Sequence, residues 1–133
     1  MFANPSEQQP TAELDLGAPA VKPDWLTTAR ERAAGQEEPG SFLAFEDHGV
    51  QLIRLGDGWT RIGRSVTAGV RLDDPTVSRR HAIVVCEGPG QVRVLDDRSL
   101  NGVFVNGELT DWGTLADGDE LMIGRYKLYL LEI

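Results

Sequence analysis

The sequence predicts an all-β sandwich, and three observations carry that prediction. From Ser41 onward, short apolar runs are separated by clusters of turn-forming residues, the rhythm of sandwiches and barrels. No strand-helix alternation of the βαβ kind and no internal repeat is present. At 133 residues and 41% apolar, with one cysteine, the chain can bury a core without disulfide staples.

In chain order, residues 1–40 are expected to form a flexible acidic arm. Pro5, Pro10, Pro19 and Pro23 stand among small and acidic residues there, with too little apolar surface to offset the entropy of ordering. One short helix over residues 25–34 is predicted inside the arm. Asp24 can cap it, the following residues are good helix formers, Gly35 can close it, and Trp25, Leu26, Ala29 and Ala33 share one stripe. Residues 36–40 read as a linker to a domain spanning 41–133. Strands are predicted near Phe42–Glu46, Val50–Leu55, Thr60–Ile62, Val70–Leu72, Ala82–Cys86, Gln91–Asp96, Phe104–Val105, Glu120–Ile123 and Lys127–Glu132. Asn106-Gly107 suits a type I′ hairpin, because both central positions want φ above zero.

Composition narrows the function classes. A formal net charge of −8 argues against a general nucleic-acid binder but leaves room for a local basic patch. The acidity is shared by the arm and the domain. Cys86 lies in an apolar run and reads as a packed strand thiol. There is no Cys/His cluster, so no metal or cofactor is expected. No leader-like segment and no apolar run of membrane-spanning length is present, which predicts a cytoplasmic protein without a membrane partner.

Between Gly63 and Gly107, polar motifs sit where strands should end: Gly63-Arg64, Ser78-Arg79-Arg80-His81, Ser99-Leu100-Asn101-Gly102 and Asn106-Gly107. Loops on a rigid β scaffold are where binding residues collect. The set joins cations, a hydroxyl and an amide without a paired nucleophile and base, which suits holding an anion. A phosphate monoester brings close to two negative charges and three strong acceptor oxygens. Arg64 can meet it with a bidentate contact that lysine cannot reproduce.

Those motifs, in that order and followed by Gly118-Asp119 before an apolar strand, resemble the forkhead-associated (FHA) domain over about residues 41–133. The resemblance implies an FHA-type β-sandwich of about eleven strands in two sheets. The two strands beyond the nine read directly would lie between Val103 and Asp119. It also implies a non-catalytic module that binds phosphothreonine peptides in Ser/Thr-kinase signalling, with a kinase or its substrates as partners. Arg64, Ser78, Arg79 and Asn101 would touch the phosphopeptide. His81 would brace the loops, and Gly63, Gly102, Asn106 and Gly107 would shape them. Leu100 stands where the family often has threonine. Thr76 stands where the family commonly selects the third residue after the phosphothreonine, and it carries no charge to attract an acidic side chain.

A threonine-bearing arm before a lone FHA domain is similar to small actinobacterial FHA regulators. The similarity implies Thr11, Thr27 and Thr28 as candidate phosphorylation sites, with the domain folding back on its own arm. An attached ligand would act at high effective concentration. A hydrolase using Ser78 and His81 is not expected, because the G-x-S-x-G elbow and the phosphate-loop spacing are both missing. The alternative to phosphopeptide binding is a structural or oligomerising sandwich that does not require phosphate.

Overall fold

Apolar alternation resolves into eleven strands and one helix in the computed structural model, which describes residues 21–133. The helix α1 (Trp25–Ala34) precedes β1 (Ser41–Glu46), β2 (Val50–Leu55), β3 (Gly58–Gly63), β4 (Val70–Arg71), β5 (Ala82–Cys86) and β6 (Val92–Asp96). After these come β7 (Val103–Val105), β8 (Glu108–Leu109), β9 (Trp112–Leu115), β10 (Glu120–Ile123) and β11 (Tyr126–Glu132). One sheet has the order β2-β1-β11-β10-β7-β8 and the other β4-β3-β5-β6-β9. The nine strands read from sequence all appear, and β8 and β9 complete the sandwich where the two extra strands were expected. Asn106 (φ 51°) and Gly107 (φ 83°) make the two-residue turn from β7 to β8, as a type I′ hairpin requires.

The core lies between the sheets. Leu43, Ile62, Val84, Val94, Leu121 and Leu128 have essentially no exposure, each such burial being worth about 1.5–3 kcal/mol. Cys86 packs at the end of β5, as its apolar run predicted. Trp59 and Trp112 stay largely exposed on the five-stranded sheet.

A second cluster covers β1 and β11 from the other side. Leu26, Ala29 and Ala33 of α1 pack with Phe42, Ala44, Tyr129 and Leu131, and the Trp25 ring meets Tyr129 edge-on at 5.7 Å between centroids. Polar contacts fix both ends of the helix: Lys22 Nζ donates to the Gly118 carbonyl at 2.6 Å, and Arg32 donates to the Val50 carbonyl at 3.2 Å. Arg30 also pairs with Asp117 at 3.2 Å. Asp24 stands at the N-cap but makes no side-chain cap bond. A ten-residue helix is marginal in water alone, so packing rather than capping holds it. The helical part of the expected arm is therefore part of the sandwich. Thr11 lies outside the described residues.

Four connections meet at one end of the molecule: residues 64–69, residues 72–81, residues 97–102 and the Gly124-Arg125 turn. Hydrogen bonds between them, described below, set the candidate site.

Candidate functional site

Backbone contacts bring the first two motifs together. Arg64 N–H donates to the Ser78 carbonyl at 3.0 Å, and Ser65 N–H donates to the Arg79 carbonyl at 3.2 Å. Gly63 permits this approach: a Cβ built there would lie 2.1 Å from the Arg79 carbonyl oxygen, far inside contact distance. His81, wholly buried, ties the second motif to the third. Its Nδ1 accepts the Ser78 N–H at 3.0 Å, so the ring proton resides on Nε2, which donates to the Gly102 carbonyl at 2.8 Å. Gly102 itself sits at φ 88°, where a side chain would be strained. Both ring nitrogens of the histidine are thus engaged inside the scaffold.

The neighbouring polar groups keep hydrogen-bonding capacity beyond the scaffold. Ser78 Oγ accepts the Leu100 N–H at 2.9 Å, which leaves the hydroxyl proton free to donate. Arg64 gives its Nε–H to the Val77 carbonyl at 3.0 Å, which orients the guanidinium and leaves both Nη groups for a ligand. Asn101 donates from Nδ2 to the Thr76 carbonyl at 2.9 Å, keeping a second N–H and the amide oxygen. Arg79 is exposed beside them. The Leu100 side chain is 89% exposed, and its contribution to the loop is the backbone bond to Ser78.

Thr76 is engaged within the loop cluster. Its hydroxyl accepts the Arg125 N–H at 3.0 Å and donates to Asp74 Oδ2 at 3.3 Å, so that group serves the scaffold. Asn106 and Gly107 stand apart from the loop cluster. Asn106 accepts the Glu120 N–H at 2.9 Å and donates to Asp119 at 3.1 Å, clamping the start of β10. Thr27 and Thr28 are exposed on α1.

Sequence reasoning missed three arginines at this end: Arg71, Arg98 and Arg125. Arg125 pairs with the buried Asp74 at 2.8 Å, and that hydrogen bond raises its pKa above the ordinary value. Arg71 lies 3.7 Å from Asp73, and Arg80 lies 3.1 Å from Asp97. Each nearby carboxylate that forms an ion pair is thus committed to Arg71, Arg80 or Arg125. Among the described residues, Arg64, Arg79 and Arg98 have no carboxylate partner. Net composition hid this surplus, because a whole-chain charge of −8 says nothing of where the arginines gather.

The comparisons agree with the geometry. The model of the FHA domain family matches residues 60–124. The glycogen accumulation regulator GarA of Mycolicibacterium smegmatis is 49% identical over 72 residues, covering 54% of this chain and 45% of that protein. The oxoglutarate dehydrogenase inhibitor of Corynebacterium jeikeium is 44% identical over 72 residues, covering 54% of this chain and 49% of the relative. The chain therefore spans about half the length of these two relatives. A solved structure from work on phosphothreonine-dependent FHA domain interactions superposes with a TM-score of 0.67 at 31% identity, over 70% of this chain and 96% of that one. With its motifs on adjoining loops of a matching sandwich, the chain belongs to the FHA domain family.

Proposed function

We propose that this protein is a non-catalytic regulator that binds phosphothreonine peptides in Ser/Thr-kinase signalling. The observation that carries the reading is the loop cluster itself: Arg64, Ser78 and Asn101 are each oriented by one internal hydrogen bond and each keep capacity for a ligand. In this reading Arg64 and Arg79 hold the phosphate charge, the Ser78 hydroxyl donates to a phosphate oxygen, and Asn101 meets the peptide main chain. The relatives' names, a regulator of glycogen accumulation and an inhibitor of oxoglutarate dehydrogenase, favour a metabolic enzyme or its kinase as partner. Calorimetric titration tests the reading with a phosphothreonine peptide library, its phosphoserine twin and its unphosphorylated twin. Binding of the phosphothreonine form alone is expected, and equal weak binding of phosphorylated and unphosphorylated peptides refutes it.

The reading extends to self-inhibition through Thr27 or Thr28. Both are accessible to a kinase, yet they ride on a helix whose other face is buried against β1 and β11. Presenting either residue to the domain's own site requires α1 to leave the sheet and expose Phe42 and Leu131. Phosphorylated protein should therefore lose hydrogen-exchange protection in α1 and bind an external phosphopeptide more weakly. Equal binding by both forms rules the switch out.

A further inference from the structure

Two clefts flank Arg79. One, of about 280 Å³, is lined by Arg64, Ser65, Val66, Arg71, Asp73 and Arg79. The other, about 520 Å³ and open, is lined by Ser78, Arg79, Arg80, Asp97 and Arg98. A phosphothreonine held by Arg64, Ser78 and Arg79 occupies the junction between them and brings no more than two charges.

In the second cleft, Arg80 donates to both Asp97 oxygens, at 3.1 and 3.4 Å. That pairing satisfies the one carboxylate lining the cleft and leaves the adjacent Arg98 without it. Arg98 is held at φ 63°, a left-handed conformation that is uncommon outside glycine and asparagine. Its neighbours are pinned on either side: Asp97 N–H donates to the His81 carbonyl at 2.9 Å, and Ser99 N–H donates to Asp96 Oδ1 at 2.8 Å. The strained residue thus sits between two anchors, with its charge free, next to the serine that would hold the phosphate. Strain kept in place by its surroundings clusters where a ligand is bound.

We propose that Arg98, with Arg79, forms a second anion subsite that takes a further negatively charged side chain of the same phosphopeptide, whether a phosphorylated residue or a carboxylate. The inference rests on the phosphothreonine reading above. It makes the preferred ligand one with at least two anionic groups close in sequence. Because the site is open, its contribution should fade as salt rises past physiological strength.

Fluorescence anisotropy on the full chain tests this with a synthetic peptide carrying one phosphothreonine. Variants of the peptide place phosphoserine, glutamate or alanine at each of the three positions on either side. At one position or more, the doubly anionic peptides should bind about three- to tenfold more tightly than the alanine peptide. The phosphoserine and glutamate arms show which anion is preferred. Arg98→Ala should remove that gain while the singly phosphorylated peptide binds near the wild-type level, and Arg98→Lys should restore much of it. No gain at any position in the wild type, or a gain that survives Arg98→Ala, overturns the second subsite. Failure of the wild type to bind the singly phosphorylated peptide overturns instead the reading on which the subsite rests.

Discussion

In the proposed binding mode His81 supports the loops and Arg64 contacts the ligand, and substitution separates the two roles. His81 is wholly buried and spans two loops through Nδ1 and Nε2. His81→Ala should therefore cost about 3 kcal/mol in urea denaturation, from two lost hydrogen bonds and the cavity left behind. It should also weaken phosphopeptide binding. Arg64→Ala removes a single internal bond, to the Val77 carbonyl, and should cost only about 1 kcal/mol of stability while phosphopeptide binding falls by about tenfold or more. A large stability loss in Arg64→Ala would make that arginine a structural residue. Gly63→Ala is expected to fail more severely than either, since the new Cβ meets a backbone oxygen that cannot swing aside. Melting curves of the three variants should rank Gly63→Ala lowest and Arg64→Ala highest.

Among the elements, nine strands were legible and β8 and β9 were not, for a physical reason. β5 and β10 announce themselves by apolar runs bounded by turns, and the structure returns their predicted limits unchanged. β8 is two exposed residues, and β9 interrupts Trp112 and Thr114 with Gly113, so neither carries an alternation strong enough to see. The motif loops were legible because turn chemistry and charge are local properties. The packing of α1 was half legible: its stripe is in the sequence, but its destination is not. One signal could have pointed there. Phe42, Leu43, Ala44 and Phe45 are apolar on both faces of β1, as are Tyr129, Leu130 and Leu131 on β11, and a strand buried on both faces needs a cover. Leu26→Ala should loosen that cover by about 2 kcal/mol. Hydrogen exchange should locate the loss in α1 and β2 rather than in the five-stranded sheet.

The whole molecule is electrically uneven. Arg64, Arg71, Arg79, Arg80, Arg98 and Arg125 gather at the loop end, although the chain carries a net charge of −8. Glu38, Asp57 and Glu132 line a cleft formed by the β2–β3 and β5–β6 turns. Such a field steers anionic ligands to one end and repels them elsewhere. Stopped-flow association with a phosphopeptide should slow steeply as salt rises, while dissociation changes less. Stability has its own dependence on proton concentration. Burial raises the Tyr126 phenol, and burial with the hydrogen bond to Glu120 raises that of Tyr129. The unfolded chain releases these protons from about pH 10, whereas the folded chain keeps them longer. Stability should be fully present below that pH and fall as pH rises above it, with Tyr129→Phe flattening the alkaline limb of the denaturation midpoint.

The contact between Trp25 and Tyr129 gives the helix an optical signature. Trp59 and Trp112 face water, whereas Trp25 is partly shielded against the Tyr129 ring. The blue-shifted part of the indole emission should therefore come from Trp25 alone, and Tyr129 is placed to transfer excitation to it. Release of α1 would shift the spectrum to the red and end that transfer without any attached dye. If phosphorylation releases α1 as proposed, the emission spectrum would follow the reaction, with Trp25→Phe as the blank.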